Sequence, residues 1–148
     1  MRRLERDTLC ALIPHAGKMC LLERVESWDE THIVCSALSH RSPDNPLRLH
    51  GRLAAIHALE YAAQAMAVHG GLNARSEGKR LAGGLLVAVR HARFHIDRLD
   101  RVEGPLTVVA TRLIASDANQ IYQTEVSAAD LLIAEARLTT MNSVETTT

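Results

Sequence analysis

Residues 50–66, HGRLAAIHALEYAAQAM, constrain the fold of this chain more than any other stretch. Their spacing predicts a helix over residues 52–69 with apolar side chains on nearly every side, and a helix of that kind is buried in a protein core. His57, Glu60 and Gln64 interrupt the apolar surface. Because a buried carboxylate is costly unless it is paired or hydrogen-bonded, Glu60 is the first candidate for a functional residue.

The rest of the chain predicts strands on both sides of this helix. A helical turn is expected over residues 7–12, and Gly70 and Gly71 are expected to end the long helix, because glycine commonly follows a helix C-terminus. Strands are predicted by apolar runs between turn residues, at 19–30, 31–40, 81–96, 102–116, 120–129 and 131–141, with hairpins expected across residues 28–30 and around residues 129–130. Polar segments at 41–51 and 73–80 are expected to connect these elements, and 142–148 to form a frayed tail.

Two strands, one apolar helix and a run of further strands predict an α+β domain that spans residues 1–148. A helix that is apolar on all sides is best buried by a curved antiparallel sheet wrapped around it. Such a sheet has exposed edges, so we also expect edge-to-edge pairing with a second copy of the chain.

Composition excludes several classes of function. Lysine plus arginine equals aspartate plus glutamate, at 17 each, and aromatic residues make up only 3%. Neither value favours nucleic-acid binding. The N-terminal residues contain no apolar run typical of a signal peptide or membrane span, so we expect a cytoplasmic protein without a span. Cys10, Cys20 and Cys35 are expected to be reduced and structural, and no Cys/His spacing typical of a metal site is present.

Residues 57, 60 and 64 share one face of the predicted helix. One interpretation is an inert polar stripe whose groups are hydrogen-bonded to a loop or a partner. The other is a slot in which desolvation raises the carboxyl pKa, so that Glu60 acts as a general acid opposite a histidine base. His50 and Gly51 are expected at the helix start, where free N–H groups stabilise an oxyanion.

Four segments together resemble 3-hydroxyacyl-[acyl-carrier-protein] dehydratases. These are LIPHAGKMCLLERV (12–25), SHRSPDNPLRLHG (39–51), ALEYAAQAM (58–66) and RHARFHIDRLDRVEGPLTV (90–108), which occur in the same order as in that family. More narrowly, LIPHAGKM, SPDNPLR and EYAAQAMAVHG resemble the divergent dehydratase-like proteins of aryl polyene and related acyl-chain clusters. The resemblance implies a hotdog fold, in which an antiparallel sheet wraps one long helix and two such domains pair.

The same resemblance implies catalysis by a histidine and a carboxylate in a tunnel at the dimer interface, without a metal or organic cofactor. Glu60 and Gln64 match the family's helix residues, so Glu60 is the predicted acid. The histidine loop of the family is shortened here, which leaves His50, His15 and His57 as candidate bases. Gly51, His57 and Gln64 are the predicted substrate contacts.

The resemblance also implies that the substrate is carried by an acyl carrier protein, an acidic partner that needs a basic docking surface. Six residues on the strand side could provide it: Lys79, Arg80, Arg90, Arg93, Arg98 and Arg101. The leading hypothesis is dehydration of a 3-hydroxyacyl thioester in fatty-acid or polyene-type biosynthesis. The alternatives are a thioesterase, which the same fold hosts, and a non-catalytic subunit of a heteromeric dehydratase.

Overall fold

The computed structural model describes residues 3–13, 17–78, 84–116 and 118–142. A short helix, α1, spans Arg6–Cys10, and a long helix, α2, spans Ala58–Ser76 and continues a 3-10 turn at Ala55–His57. Within these ranges there are seven strands: β1 (Leu4–Glu5), β2 (Arg24–Trp28), β3 (His32–Ala37), β4 (Gly84–Phe94), β5 (Leu106–Ala115), β6 (Asn119–Ala128) and β7 (Leu131–Asn142).

The described strands form a single sheet in the order β1-β2-β3-β5-β6-β7-β4, and all neighbours are antiparallel. Helix α2 contacts strands β3, β5, β6 and β7 from the middle of this sheet. The long helix held against a single antiparallel sheet is the hotdog arrangement, so the predicted fold class is confirmed.

Alternation along the strands builds the core. In β3, Ile33, Cys35 and Ala37 are fully buried while the residues between them are partly exposed, as expected for a strand with one face against the helix. Helix α2 buries its facing side, which includes Tyr61 and Val68. The prediction that this helix is buried is confirmed over most of its length, since Glu60 is the only exposed residue among positions 58–74.

The helix is displaced relative to the predicted 52–69. It begins later, since residues 53–55 are held in extended form by backbone pairing with residues 97–99. It also runs through Gly70 and Gly71 to Ser76. A Cβ atom on Gly71 would lie 3.3 Å from the Leu12 carbonyl oxygen, so glycine here permits close packing against residue 12 and does not end the helix.

Several of the predicted strand regions are shorter in the structure, and the region 102–116 becomes a strand only at Leu106. The region 19–30 becomes a strand only at Arg24, because the Leu21 N–H donates to the side chain of Gln64 and not to a neighbouring strand. The region 31–40 ends as a strand at Ala37. The predicted hairpins at 28–30 and 129–130 are confirmed, and Asn142 belongs to β7. Residues 143–148 of the expected tail lie outside the described residues.

The prediction for the cysteines needs correction. Cys10 and Cys20 form a disulfide, with 5.9 Å between their Cα atoms, which joins α1 to the segment that leads into β2. Cysteine spacing along a sequence does not reveal such a pair, whereas α1 folded beside β2 brings the two Cα atoms within bridging distance. Cys35 is free and buried, and burial raises the pKa of its thiol to about 12.

Two histidines, His40 and His69, are fully buried. The Nε2–H of His69 donates to the Asp29 carbonyl oxygen, so its Nδ1 accepts the Tyr122 hydroxyl proton. His40 Nε2 donates to the Val102 carbonyl oxygen at 3.1 Å, and its buried Nδ1 has no hydrogen-bond partner among the described residues. Burial lowers the pKa of both imidazoles below the usual value of 6.5.

We expect the stability of the fold to decrease in mild acid. Because the folded-state pKa of His40 and His69 is lowered, the unfolded chain binds protons first as the pH falls below about 6.5. The free energy of unfolding should therefore be insensitive to these groups above about pH 7.5. It should fall progressively as the pH is lowered from about 6.5 towards 5, because the unfolded chain then binds protons that the two buried imidazoles do not. Urea unfolding across this range measures the effect.

Two variants test whether buried histidine causes this pH dependence of the free energy of unfolding. His69→Gln should reduce the loss between about pH 7.5 and pH 5, because one of the two protonation sites is removed. The matched control is His95→Gln, since His95 is exposed on the segment after β4. Equal slopes in wild type and His69→Gln would contradict the assignment.

Candidate functional site

The segment before α2 is joined to the segment before β5 by backbone pairing. Ala54 and Arg98 form an antiparallel bridge, the Ala55 N–H donates to the Asp97 carbonyl oxygen at 2.9 Å, and the Leu99 N–H donates to the Leu53 carbonyl oxygen at 2.8 Å. These bonds fix the direction in which the chain enters the 3-10 turn and then α2.

Asp100 fastens this pairing. Its Oδ1 accepts the Leu53 N–H at 2.9 Å, and its Oδ2 accepts Nη2 of Arg98 at 2.6 Å. The carboxyl side chain is only 7% exposed. The Arg98 hydrogen bonds hold the pKa of this carboxyl far below its usual value, so it is ionised at every physiological pH. The charge of Arg98 is correspondingly committed to Asp100.

A cleft of about 640 Å³ opens beside this pairing. Its lining combines apolar walls with two imidazoles and three charged groups: Leu49, His50, Arg52, Ala54, His57, Asp97 and Arg98. The structure thus brings two of the predicted site residues, His50 and His57, into the lining of one cleft, and Gly51 follows His50 in the chain.

His50 and Gly51 occupy the centre of a tight turn. Both have positive φ, 51° and 74°, and Leu49 and Arg52 exchange backbone hydrogen bonds of 2.9 and 3.0 Å across them. Two positive φ values define a type I′ turn, in which glycine is favoured. The prediction that His50 and Gly51 stand at the helix start is wrong, because the 3-10 turn begins at Ala55. Their N–H groups are therefore not those of the helix end.

Glu60 lies one turn after His57 on the same side of α2. It is exposed in the single chain and is not among the residues that line the cleft. His57 itself is half-buried. Residues three apart on a helix have neighbouring side chains, which leaves Glu60 at the border of the cleft region on the side that the sheet does not cover.

Gln64 is buried, with 4% exposure, and its amide is fully used by the backbone. Its Oε1 accepts the Leu21 N–H at 2.8 Å and its Nε2 donates to the Met19 carbonyl oxygen at 2.6 Å. Gln64 therefore fastens the segment before β2 to α2 and does not line the cleft. His15, the remaining candidate base, lies outside the described residues.

Three residues of this region were not singled out from the sequence. Asp97 lines the cleft, Asp100 holds the backbone pairing, and His40 is buried within the loop that precedes α2. The alternation of acids and arginines in DRLDR (97–101) was the available signal, but only the folded backbone shows that it faces residues 53–55.

The predicted basic docking set is only partly available. Lys79 and Arg80 lie outside the described residues. Arg93 is 3.9 Å from Glu135, and Arg98 is bound to Asp100. Arg90 and Arg101 are exposed. Fewer basic side chains on the strand side are therefore available to bind an acidic partner than the sequence predicted.

Comparisons with known proteins place this chain in a family. A sequence model of the ApeP-like family, described as ApeP dehydratase, matches residues 8–148. A comparison with curated proteins found no significant match. Within the described residues, no helix is long and apolar enough to cross a membrane, and no three His, Cys, Asp or Glu side chains are grouped as a metal site.

Solved structures agree with the fold. The dehydratase heterocomplex ApeI:P from Xenorhabdus doucetiae matches with a TM-score of 0.82 and 24% identity, over 93% of this chain and 92% of that one. A thioesterase from Haemophilus influenzae matches with a TM-score of 0.68 and 16% identity, over 98% and 96%. A mutant thioesterase from Pseudomonas aeruginosa gives 0.65 and 16%, over 93% of each chain. These identities establish the hotdog fold, and the family match over nearly the whole sequence establishes that this chain belongs to the ApeP-like dehydratase family.

Proposed function

We propose that this chain acts in the dehydration of a 3-hydroxyacyl thioester carried by an acyl carrier protein, in fatty-acid or aryl-polyene-type biosynthesis. The family match over residues 8–148 carries the proposal. The cleft supports it, because His50 and His57 both line an opening with apolar walls next to the helix that bears Glu60. An elimination needs an acid, a base and a positioned substrate, which these groups are suited to supply.

In the proposed reaction one cleft histidine, His50 or His57, removes the proton from the carbon next to the thioester carbonyl. The electron pair forms the double bond between C2 and C3 while the bond from C3 to its hydroxyl oxygen breaks. Glu60 gives its proton to that oxygen, which leaves as water, and the histidine later returns its proton to Glu60. Atoms and charge balance without an added reactant.

We propose further that a second hotdog subunit completes the site. Strand β4 lies at an edge of the sheet. Every residue from 85 to 95 is exposed except Ala88, which is half-buried. Its exposed apolar side chains include Leu85, which is 68% exposed, and Val87, which is 45% exposed. The 3-10 turn that leads into α2 adds Ile56, which is 58% exposed and precedes Glu60 by four positions. A partner over both surfaces would remove Glu60 from water, which a general acid at neutral pH requires.

The partner is either a second copy or a different hotdog chain. The similarity to the ApeI:P heterocomplex supports a different chain. The thioesterase alternative rests on structural neighbours that share the fold alone, so it is kept as an outcome of the experiment.

The test is a product assay on a 3-hydroxyacyl thioester bound to acyl carrier protein. The purified chain is assayed alone and with a co-expressed hotdog partner, and enoyl formation and thiol release are followed separately. We expect enoyl product without thiol release. His50→Ala and His57→Ala then identify the base, because only the variant that lacks it loses activity. Thiol release without enoyl product would establish a thioesterase, and no product in either preparation would contradict catalysis by this chain.

A further inference from the structure

The loop that precedes α2, residues 39–52, carries more positive charge than its neighbours neutralise. It contains Arg41, Arg48 and Arg52 and one carboxylate, Asp44. That carboxylate is 3.7 Å from the ammonium of Lys18, outside the loop. None of the three arginines forms an ion pair with a carboxylate in the part of the chain that the structure describes. The loop is therefore a cationic surface at the cleft.

Arg48 gives this loop a fixed shape. Its guanidinium donates to three backbone carbonyl oxygens, those of Ser42 at 2.7 Å, Gly51 at 2.8 Å and His40 at 3.2 Å. Three carbonyls held by one planar cation tie the two ends of the loop together. One of them belongs to the type I′ turn, so the turn that presents the neighbouring Arg52 is held in place.

Arg52 is the arginine that reaches the cleft. Its side chain is exposed and lines the cleft with Leu49 and Ala54, which provide apolar walls. Asp97 is the carboxylate in the lining of the cleft, and Arg98 binds Asp100 and not Asp97. The backbone carbonyl oxygen of Asp97 accepts the Ala55 N–H. The guanidinium of Arg52 has no hydrogen-bond or ion-pair partner within the described ranges. A guanidinium that can donate two hydrogen bonds, next to a cleft with apolar walls, is suited to a flexible apolar ligand that carries an anionic group.

We propose that Arg52 binds the phosphodiester of the phosphopantetheinyl arm of an acyl carrier protein as the thioester enters the cleft. The inference rests on the proposed function for its thioester. It moves the carrier contact from the strand residues to the loop 39–52. Arg41, exposed on the same loop, faces the acidic surface of the carrier.

The test measures binding, so that it does not depend on turnover. S-hexanoyl-phosphopantetheine and S-hexanoyl-pantetheine differ only in the phosphate, and neither has the 3-hydroxyl group that dehydration requires. Each is titrated into the wild-type protein, in its native assembly, by calorimetry. We expect the phosphate to tighten binding by about 5–10-fold in wild type, and Arg52→Gln to reduce this ratio to near 1.

Arg75→Gln is the matched control, because Arg75 is an exposed arginine at the far end of α2, and it should keep the wild-type ratio. A wild-type ratio near 1, or a ratio that survives in Arg52→Gln, would overturn the proposal. In the second part of the experiment, the binding of hexanoyl-coenzyme A and of the hexanoyl-carrier protein is compared between wild type and Arg52→Gln. A loss in Arg52→Gln confined to the coenzyme A ester would overturn the carrier assignment. Retained phosphate-dependent binding without any dehydration would instead show that the proposed function fails while this site stands.

Discussion

Glu60→Gln is expected to lower kcat for dehydration by at least about 100-fold, since glutamine keeps the shape of the side chain but cannot give up a proton to the leaving hydroxyl. KM should change little, because the thioester arm is bound by the cleft and not by this carboxyl. The melting temperature should also be unchanged, because Glu60 is exposed and its carboxyl forms no hydrogen bond or ion pair with the described residues. The measurement is steady-state kinetics on the assembled protein.

The control for this experiment is Glu125→Gln, which neutralises an exposed glutamate on β6, away from the cleft. It should retain wild-type kcat. If Glu60→Gln also retains it, the general acid is another residue. If instead both kcat and the melting temperature fall together, Glu60 acts through the subunit contact that its side of α2 is proposed to make.

Gln64→Ala should destabilise the fold by about 2–4 kcal/mol. The buried amide of Gln64 satisfies one N–H and one carbonyl of the segment that contains Met19 and Leu21. Removing it leaves both backbone groups without a partner and opens a cavity, and each unsatisfied buried group costs about 1–3 kcal/mol. Thermal and urea unfolding measure the total loss.

Hydrogen exchange localises the effect of Gln64→Ala. The Leu21 amide should lose protection far more than the amides of β5 and β6, because its acceptor is removed. Gln123→Ala, a half-buried glutamine on β6, is the control and should change stability by less than about 0.5 kcal/mol. Gln64→Glu tests the donor, since a carboxylate can accept from Leu21 but cannot donate to Met19. Unchanged stability in both Gln64 variants would contradict this role.

The architecture was predictable because periodicity is a property of local sequence. The alternation in β3 and the apolar run of α2 fix which element each segment becomes. The hairpin at Ala129, whose φ of 50° is tolerated in a tight turn, was signalled by the polar break between two apolar runs. Boundaries were less predictable. Gly71 reads as a helix end locally, yet Leu12 packs against it from a distant part of the chain.

The site was less predictable than the fold because it depends on contacts between distant segments. Glu60 was correctly placed on α2 beside His57, but its exposure depends on what covers that side of the helix. Gln64 was recognised as polar and buried, while its partners at Met19 and Leu21 are more than forty positions away. The link from Asp100 to Leu53 spans a similar distance, and no local pattern indicates it.

In the assembly proposed above, the exposed edge strand β4 makes the stability of this protein depend on the concentration of its subunits. A subunit that hides Leu85, Val87 and Phe94 binds the folded chain and not the unfolded one, so the apparent free energy of unfolding rises with subunit concentration. Dilution would then lower the melting temperature of the same molecule. Stability values for this chain are therefore comparable only at a stated concentration of both subunits.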